Sequence, residues 1–125
     1  MLGEYGGLGL PISGHLWKEQ GNWGYRTFKD RTALTDAYVA VTHNLRPLIG
    51  AGLSAAVYTQ TTDGEMEVNG LMTYDREIVK MDPARVRAAD LALFGPPPTF
   101  KTLVETAEKG GFTWHYTTTK PASPI

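Results

Sequence analysis

The sequence predicts an α/β fold built from two successive strand–loop–helix units, and two observations carry this prediction. Residues 32–49 repeat apolar side chains at the period of one helix face: Leu34, Tyr38, Val41, Leu45 and Leu48. Residues 53–60, LSAAVYTQ, form a short run without polar alternation, which is typical of a strand buried on both faces of a parallel sheet.

The first unit is expected to begin in residues 1–7, MLGEYGG, as the end of a strand that runs into a glycine turn. Residues 8–31 then predict a long aromatic loop, a feature that is uncommon unless the loop covers a site. Thr32 is a candidate N-cap of the first helix, and Gly50 is expected to stop it. Pro47 is expected to kink or loosen the last turn.

The second unit continues from the buried strand into another long loop over residues 61–81. Asp82 predicts the N-cap of a helix over 82–94, with Pro83 at its first position and Gly95 at its end. Both strand-to-helix loops are long, whereas the helix-to-strand connection is short. That asymmetry is typical of a (β/α)₈ TIM barrel, whose functional site is built by the βα loops.

The character of the chain changes after three consecutive prolines. Residues 96–111 predict a linker, and residues 112–118 alternate aromatic and polar side chains as one amphipathic strand. A single strand is not stable alone and needs a sheet from elsewhere. We therefore expect a partial barrel over residues 1–95 and a linker with the first strand of a second domain over residues 96–125.

The composition limits the function classes. A net charge of −1 gives no reason to expect a nucleic-acid or anionic-membrane partner, and no stretch is long and apolar enough for a membrane helix. The absence of cysteine excludes disulfides and thiolate chemistry but leaves the compartment open. The first residues do not form a signal peptide, so any signal of an exported parent enzyme is expected upstream.

Three matches in order, the second made of two segments, resemble glycoside hydrolase family 2, the β-galactosidase and β-glucuronidase group. LGEYGG at 2–7 is similar to the family's nucleophile segment at the end of barrel strand 7. AVYTQTTD at 56–63 and VNGLMTYDR at 68–76 resemble its strand-8 segment and the following turn. FTWHYTTTKPA at 112–122 looks like the opening strand of the β-sandwich that follows the barrel in some members.

The resemblance implies that the chain is a C-terminal fragment of a barrel, spanning about strands 7–8 and helices 7–8. Glu4 is then the nucleophile of a retaining enzyme that hydrolyses O-glycosidic bonds through a glycosyl-enzyme intermediate. The family's general acid/base Glu would lie in the missing N-terminal barrel portion, so the chain alone is expected to be inactive. Residues 68–70 lack the Asn-x-Lys element of β-glucuronidases, so glucuronide specificity is not implied.

The resemblance also implies substrate contacts by Tyr5 and by Tyr58, where the family often has Trp. Asp63 is expected to orient neighbouring groups at the barrel mouth and contact the substrate there, with a turn or capping role as the open alternative. In the aromatic loop, His15 and Trp17 are candidate sugar contacts, with packing under the loop as the open alternative.

No cofactor and no metal site are expected, because His15 has no partner at metal-ligand spacing in the sequence. Asp75 and Arg76 are interpreted as a local ion pair or a turn.

The sequence is also compatible with two other functions. The aromatic loop and the strand around Trp114 would suit a non-catalytic carbohydrate-binding module. A small structural protein that oligomerises to complete its sheet is the other alternative, and an unpaired strand edge would promote such self-association.

Overall fold

The computed structural model describes residues 1–99, 101 and 103. The expected linker after residue 103 and the strand over 112–118 lie outside the described residues. The elements follow in this order: β1 (Leu2–Gly6), β2 (Leu8–Gly9), β3 (Arg26–Thr27), α1 (Arg31–His43), α2 (Leu45–Gly50), β4 (Ala56–Thr59) and α3 (Pro83–Ala92).

The central feature is a parallel pair of strands joined by a helical crossover. β1 lies parallel to β4, with Leu2 opposite Ala56, and α1 and α2 connect the two strands. Parallel neighbours need such a crossover, so the strand–helix–strand unit predicted from the sequence is confirmed. The helical layer covers one face of the pair, where the Tyr38 and Tyr58 ring centroids are 5.0 Å apart.

The predicted burial of β4 on both faces is wrong for this part of the chain. Val57 is 54% exposed, because nothing among the described residues covers the face of the pair opposite α1. Within the described ranges, β1 and β4 have no other strand neighbour. The aromatic loop contains a second parallel pair, β2 with β3, which consists of two residues in each strand and leaves no periodic signal in the sequence.

The predicted helix over 32–49 forms as two pieces with a break at Asn44. A proline ring clashes with the carbonyl four residues before it, so Pro47 disrupts the helix at His43 and becomes tolerable only in the first turn of the new helix α2. The expected cap at Thr32 is also wrong. Asp30 caps α1 instead, because its side chain accepts a hydrogen bond from the Ala33 amide.

The third helix begins as the sequence predicts. The Asp82 carboxylate accepts hydrogen bonds from the Ala84 and Arg85 amides, and Pro83 occupies the first helical position. α3 packs against α1, and the two are joined by a hydrogen bond of 2.9 Å from the Tyr38 hydroxyl to an Asp90 carboxylate oxygen. The core beneath them is a cluster of buried side chains: Leu8, Leu10, Leu34, Tyr38 and Met81.

Candidate functional site

Glu4 lies on the face of the strand pair that α1 does not cover. The register of β1 against β4 shifts between Leu2 and Tyr5, so Gly3 and Glu4 together oppose the single residue Val57. This extra residue is a β-bulge, a feature that re-aims side chains and is over-represented at barrel rims and beside active sites. All three residues around the bulge are exposed, so the Glu4 carboxylate is open to a ligand.

A shallow cavity of about 180 Å³ adjoins Glu4 at the carboxyl ends of both strands. Its walls come from the glycine turn after β1, from Thr59 at the end of β4 and from the Tyr25 ring. Tyr25 is 75% exposed and contacts Trp23 edge to face, with ring centroids 5.7 Å apart. An acid next to exposed aromatic rings is chemically suited to a sugar, because ring faces pack against the apolar side of a pyranose.

The glycine turn is required by close packing. Gly6 and Gly7 both have positive φ, a conformation that side-chain-bearing residues rarely adopt. A Cβ on Gly6 would lie 2.4 Å from the Tyr58 ring, and one on Gly7 would lie 2.6 Å from the Tyr25 ring. The turn therefore lets both rings approach the backbone at the end of β1.

Tyr5 and Tyr58, two of the expected substrate contacts, pack on the helix side of the strand pair, and Tyr5 also lines the cavity beside Glu4. Their ring centroids are 5.4 Å apart, and Tyr58 also packs against Tyr38 of α1. Burial raises the pKa of both the Tyr5 and the Tyr58 hydroxyl. Their rings contribute to core packing, and contact of either with a substrate stays a prediction.

His15 is joined to a distant part of the chain. Its Nδ1 lies 2.8 Å from an Asp75 carboxylate oxygen and 3.9 Å from a Glu77 carboxylate oxygen. The expectation that His15 has no ligand-type partner is therefore wrong. Of the two interpretations of Asp75 and Arg76, the turn is confirmed, because the Arg76 amide donates to the Thr73 carbonyl, whereas Asp75 contacts His15 and not Arg76. Sequence spacing missed the contact because His15 and Asp75 are separated by 60 positions.

The same two loops meet again through aromatic rings. Trp17 packs edge to face on Tyr74, with ring centroids 5.7 Å apart. Trp17 is nevertheless 56% exposed, so part of its ring remains available to a ligand. Its predicted role as a sugar contact remains a prediction.

Asp63 is buried rather than open at the cavity. One of its carboxylate oxygens accepts a hydrogen bond of 2.6 Å from the Lys80 ammonium and one of 2.7 Å from the Gly70 amide. The side chains of Asp63 and Lys80 are 2% and 0% exposed. Burial raises the pKa of Asp63 and lowers that of Lys80, while their mutual attraction opposes both shifts.

Lys80 and the hydrogen-bonded polar side chains beside it were not predicted from the sequence. Lys80 also donates to the backbone carbonyls of Val68 and Leu10, which uses all three ammonium protons. The available signal was a lone lysine within the apolar run Ile-Val-Lys-Met at 78–81. Nearby, the buried Asn69 accepts from Gln60 and donates to Glu67, which fixes the Glu67 carboxylate.

Comparison with profiles of known protein families finds no match to this chain, and no curated protein is significantly similar to it. Among the described residues, no helix has the length and apolarity that crossing a membrane requires.

Proposed function

We propose that this chain is part of the catalytic barrel of a retaining glycoside hydrolase and that Glu4 is its nucleophile. The observation that supports this proposal most directly is the position of Glu4. It lies on a β-bulge, two residues before the end of a parallel strand, on the face that no helix covers. In barrel enzymes the catalytic residues lie at the carboxyl ends of such strands.

The chemistry requires a second carboxyl group. A retaining mechanism places a general acid/base about 5–5.5 Å from the nucleophile. Of the described residues that line the cavity beside Glu4, none other carries a carboxylate. The acid/base is therefore proposed to come from a polypeptide that supplies the other strands of the barrel, and the chain alone is proposed to hydrolyse no glycoside.

The decisive experiment traps the covalent intermediate. The chain is fused behind a polypeptide that supplies the first six strands of a family 2 barrel and is treated with an activated 2-deoxy-2-fluoro glycoside. Mass spectrometry of the peptides is expected to find the sugar on Glu4, and Glu4→Gln is expected to abolish labelling. Glu65→Gln is the matched control, since Glu65 is an exposed carboxylate on another loop. Label on any other residue would exclude Glu4 as the nucleophile.

The chain alone gives a separate test. We expect no turnover of aryl β-galactosides or β-glucuronides by the unfused chain, because losing general acid/base assistance costs about 10²–10⁴-fold. Turnover that disappears in Glu4→Gln would disprove the proposed inactivity while supporting the nucleophile assignment.

A second candidate function is carbohydrate binding without catalysis, and the exposure of three aromatic rings favours it. Trp17, Trp23 and Tyr25 are 56%, 46% and 75% exposed. Titration with oligosaccharides distinguishes the two functions. Binding that is lost in Trp23→Ala and unchanged in Glu4→Gln, together with no labelling of the fusion, would favour a binding module.

A further inference from the structure

Three metal-ligating side chains converge where the loop after β2 meets the loop after β4. The ligand atoms of His15, Asp75 and Glu77 all lie within 4.8 Å of one another. His15 Nδ1 is 2.8 Å from one Asp75 oxygen and 3.9 Å from one Glu77 oxygen. The group lies outside the cavity at Glu4, and its interpretation does not depend on the proposed hydrolase function.

The Asp75 carboxylate is held in place by its neighbours. One oxygen accepts hydrogen bonds from the Thr73 hydroxyl and the Glu77 amide, and the other faces His15. Thr73 is completely buried, and its hydroxyl in turn accepts from the Ile78 amide. Hydrogen bonds of this kind orient the ligands of metal sites and leave the free oxygen directed at the ion.

The cluster is also accessible from solvent and carries a suitable charge. The side chains of His15, Asp75 and Glu77 are 26%, 24% and 71% exposed, so an ion can enter without opening the fold. Two carboxylates with a neutral imidazole balance the charge of a divalent cation.

The donor set selects the class of ion. Imidazole nitrogen suits zinc, copper, iron and nickel, whereas magnesium and calcium prefer oxygen ligands alone. Zinc binds such atoms at about 2.0–2.2 Å, which places neighbouring ligands of a tetrahedral ion roughly 3.4 Å apart. The two observed separations from His15 Nδ1, 2.8 Å and 3.9 Å, lie on either side of that spacing.

We propose that His15, Asp75 and Glu77 bind a divalent transition-metal ion of the zinc type, with water in the remaining position. The ion is bound by His15 Nδ1, so a bond to the metal replaces the contact between Nδ1 and Asp75, and the proton of the neutral imidazole lies on Nε2. It joins two loops whose ligands are 60 positions apart in the chain. The site thereby fixes the aromatic loop that carries Trp17 to the loop that carries Tyr74.

The test measures zinc binding by the full chain. Competition between the protein and a chromophoric chelator for ZnCl₂ is expected to show one site per chain. Glu77→Gln removes one ligand from an exposed position and is not expected to disturb the fold. It should weaken zinc binding at least about tenfold, because even changes to residues that only orient ligands weaken affinity about 10–100-fold. His15→Gln should abolish the site.

Two matched controls use the other histidines of the chain, His43 and His115. The variants His43→Gln and His115→Gln are expected to bind zinc as the unmodified chain does. Zinc should also raise the melting temperature of the unmodified chain and not that of Glu77→Gln. The proposal is overturned by no zinc binding, by binding that survives both Glu77→Gln and His15→Gln, or by binding lost in either control.

Discussion

Replacing Lys80 with methionine tests the most deeply buried charge in the described structure. Lys80 is completely buried and donates three hydrogen bonds, to Asp63 at 2.6 Å, to the Val68 carbonyl at 2.8 Å and to the Leu10 carbonyl at 3.2 Å. Methionine retains most of the apolar stem but removes the ammonium. The Asp63 carboxylate is then left buried without its counter-charge.

The expected loss in the free energy of unfolding follows from these contacts. Removing one partner of a buried ion pair costs about 3–5 kcal/mol. The two carbonyls also lose hydrogen bonds from a charged donor, each worth about 1.5–3 kcal/mol in isolation. These costs overlap, so we expect a total near the upper end of the first range, about 4–5 kcal/mol. That is comparable to the whole stability of a marginal domain, about 5–15 kcal/mol.

The assay is urea denaturation at neutral pH, followed by circular dichroism and tryptophan fluorescence and extrapolated to zero denaturant. Lys18→Met is the matched control, because Lys18 is exposed and its loss should change stability by no more than about 0.5 kcal/mol. The double variant Asp63→Leu with Lys80→Met should be more stable than Lys80→Met alone, because it leaves no uncompensated charge.

The pH dependence of the Lys80→Met variant supplies a further check. Without the ammonium, burial raises the folded-state pKa of Asp63 above its unfolded value of about 3.9. The loss of stability caused by the unpaired Asp63 carboxylate is therefore complete at neutral pH, and it shrinks as the pH falls through the raised pKa of the folded state. The stabilising role of the buried pair is refuted if Lys80→Met lowers the free energy of unfolding no more than Lys18→Met does, or if the double variant is less stable than Lys80→Met.

Three smaller perturbations test other contacts, each by the urea midpoint. Gly70→Ala should destabilise the fold by about 1–3 kcal/mol or more, because its Cβ would lie 2.3 Å from the Asp63 amide nitrogen. Gly3→Ala is the control and should be neutral, because its Cβ would meet nothing within 4 Å. Equal effects of the two variants would contradict the close packing at Gly70. The hydrogen bond from the Thr73 hydroxyl lowers the pKa of Asp75 to about 2, so the stabilisation from this carboxylate is present above its unfolded pKa of about 3.9 and is lost as the pH falls through about 2. Thr73→Val should flatten this acid dependence, and an unchanged profile would argue against the hydrogen bond. Asp30→Ala should cost about 0.5–2 kcal/mol through loss of the α1 cap, and no loss would show that another group caps the helix.

The helices were largely predictable because their signals are local. The apolar period from Leu34 and the Asp82–Pro83 start both describe contacts within a few residues, and the structure follows them. The N-cap residue of α1 could not be predicted from such local signals. Asp30 and Thr32 are both capping residues just before the apolar period, and only the observed bond to the Ala33 amide distinguishes them.

The interactions around the site were mostly not predictable, because they join distant positions. The pairing of His15 with Asp75 spans 60 residues, and that of Asp63 with Lys80 spans 17 residues across an irregular loop. Neither follows a helical or strand period. The exposed position of Glu4 also depends on the bulge in β1, which arises only when β4 lies alongside.

The hydrogen bond from Lys80 to the Leu10 carbonyl has a consequence for synthesis on the ribosome. The two residues are 70 positions apart, and chains grow at about 5–20 residues per second, so Leu10 precedes its partner by about 4–14 s. Both strands of the pair, β1 and β4, are synthesised before Lys80, because β4 ends at Thr59. A nascent chain stalled between Thr59 and Lys80 would contain both strands of the pair but not the side chain that joins Leu10 to the later loop, and the loop after β2 would be more open to proteases and chaperones.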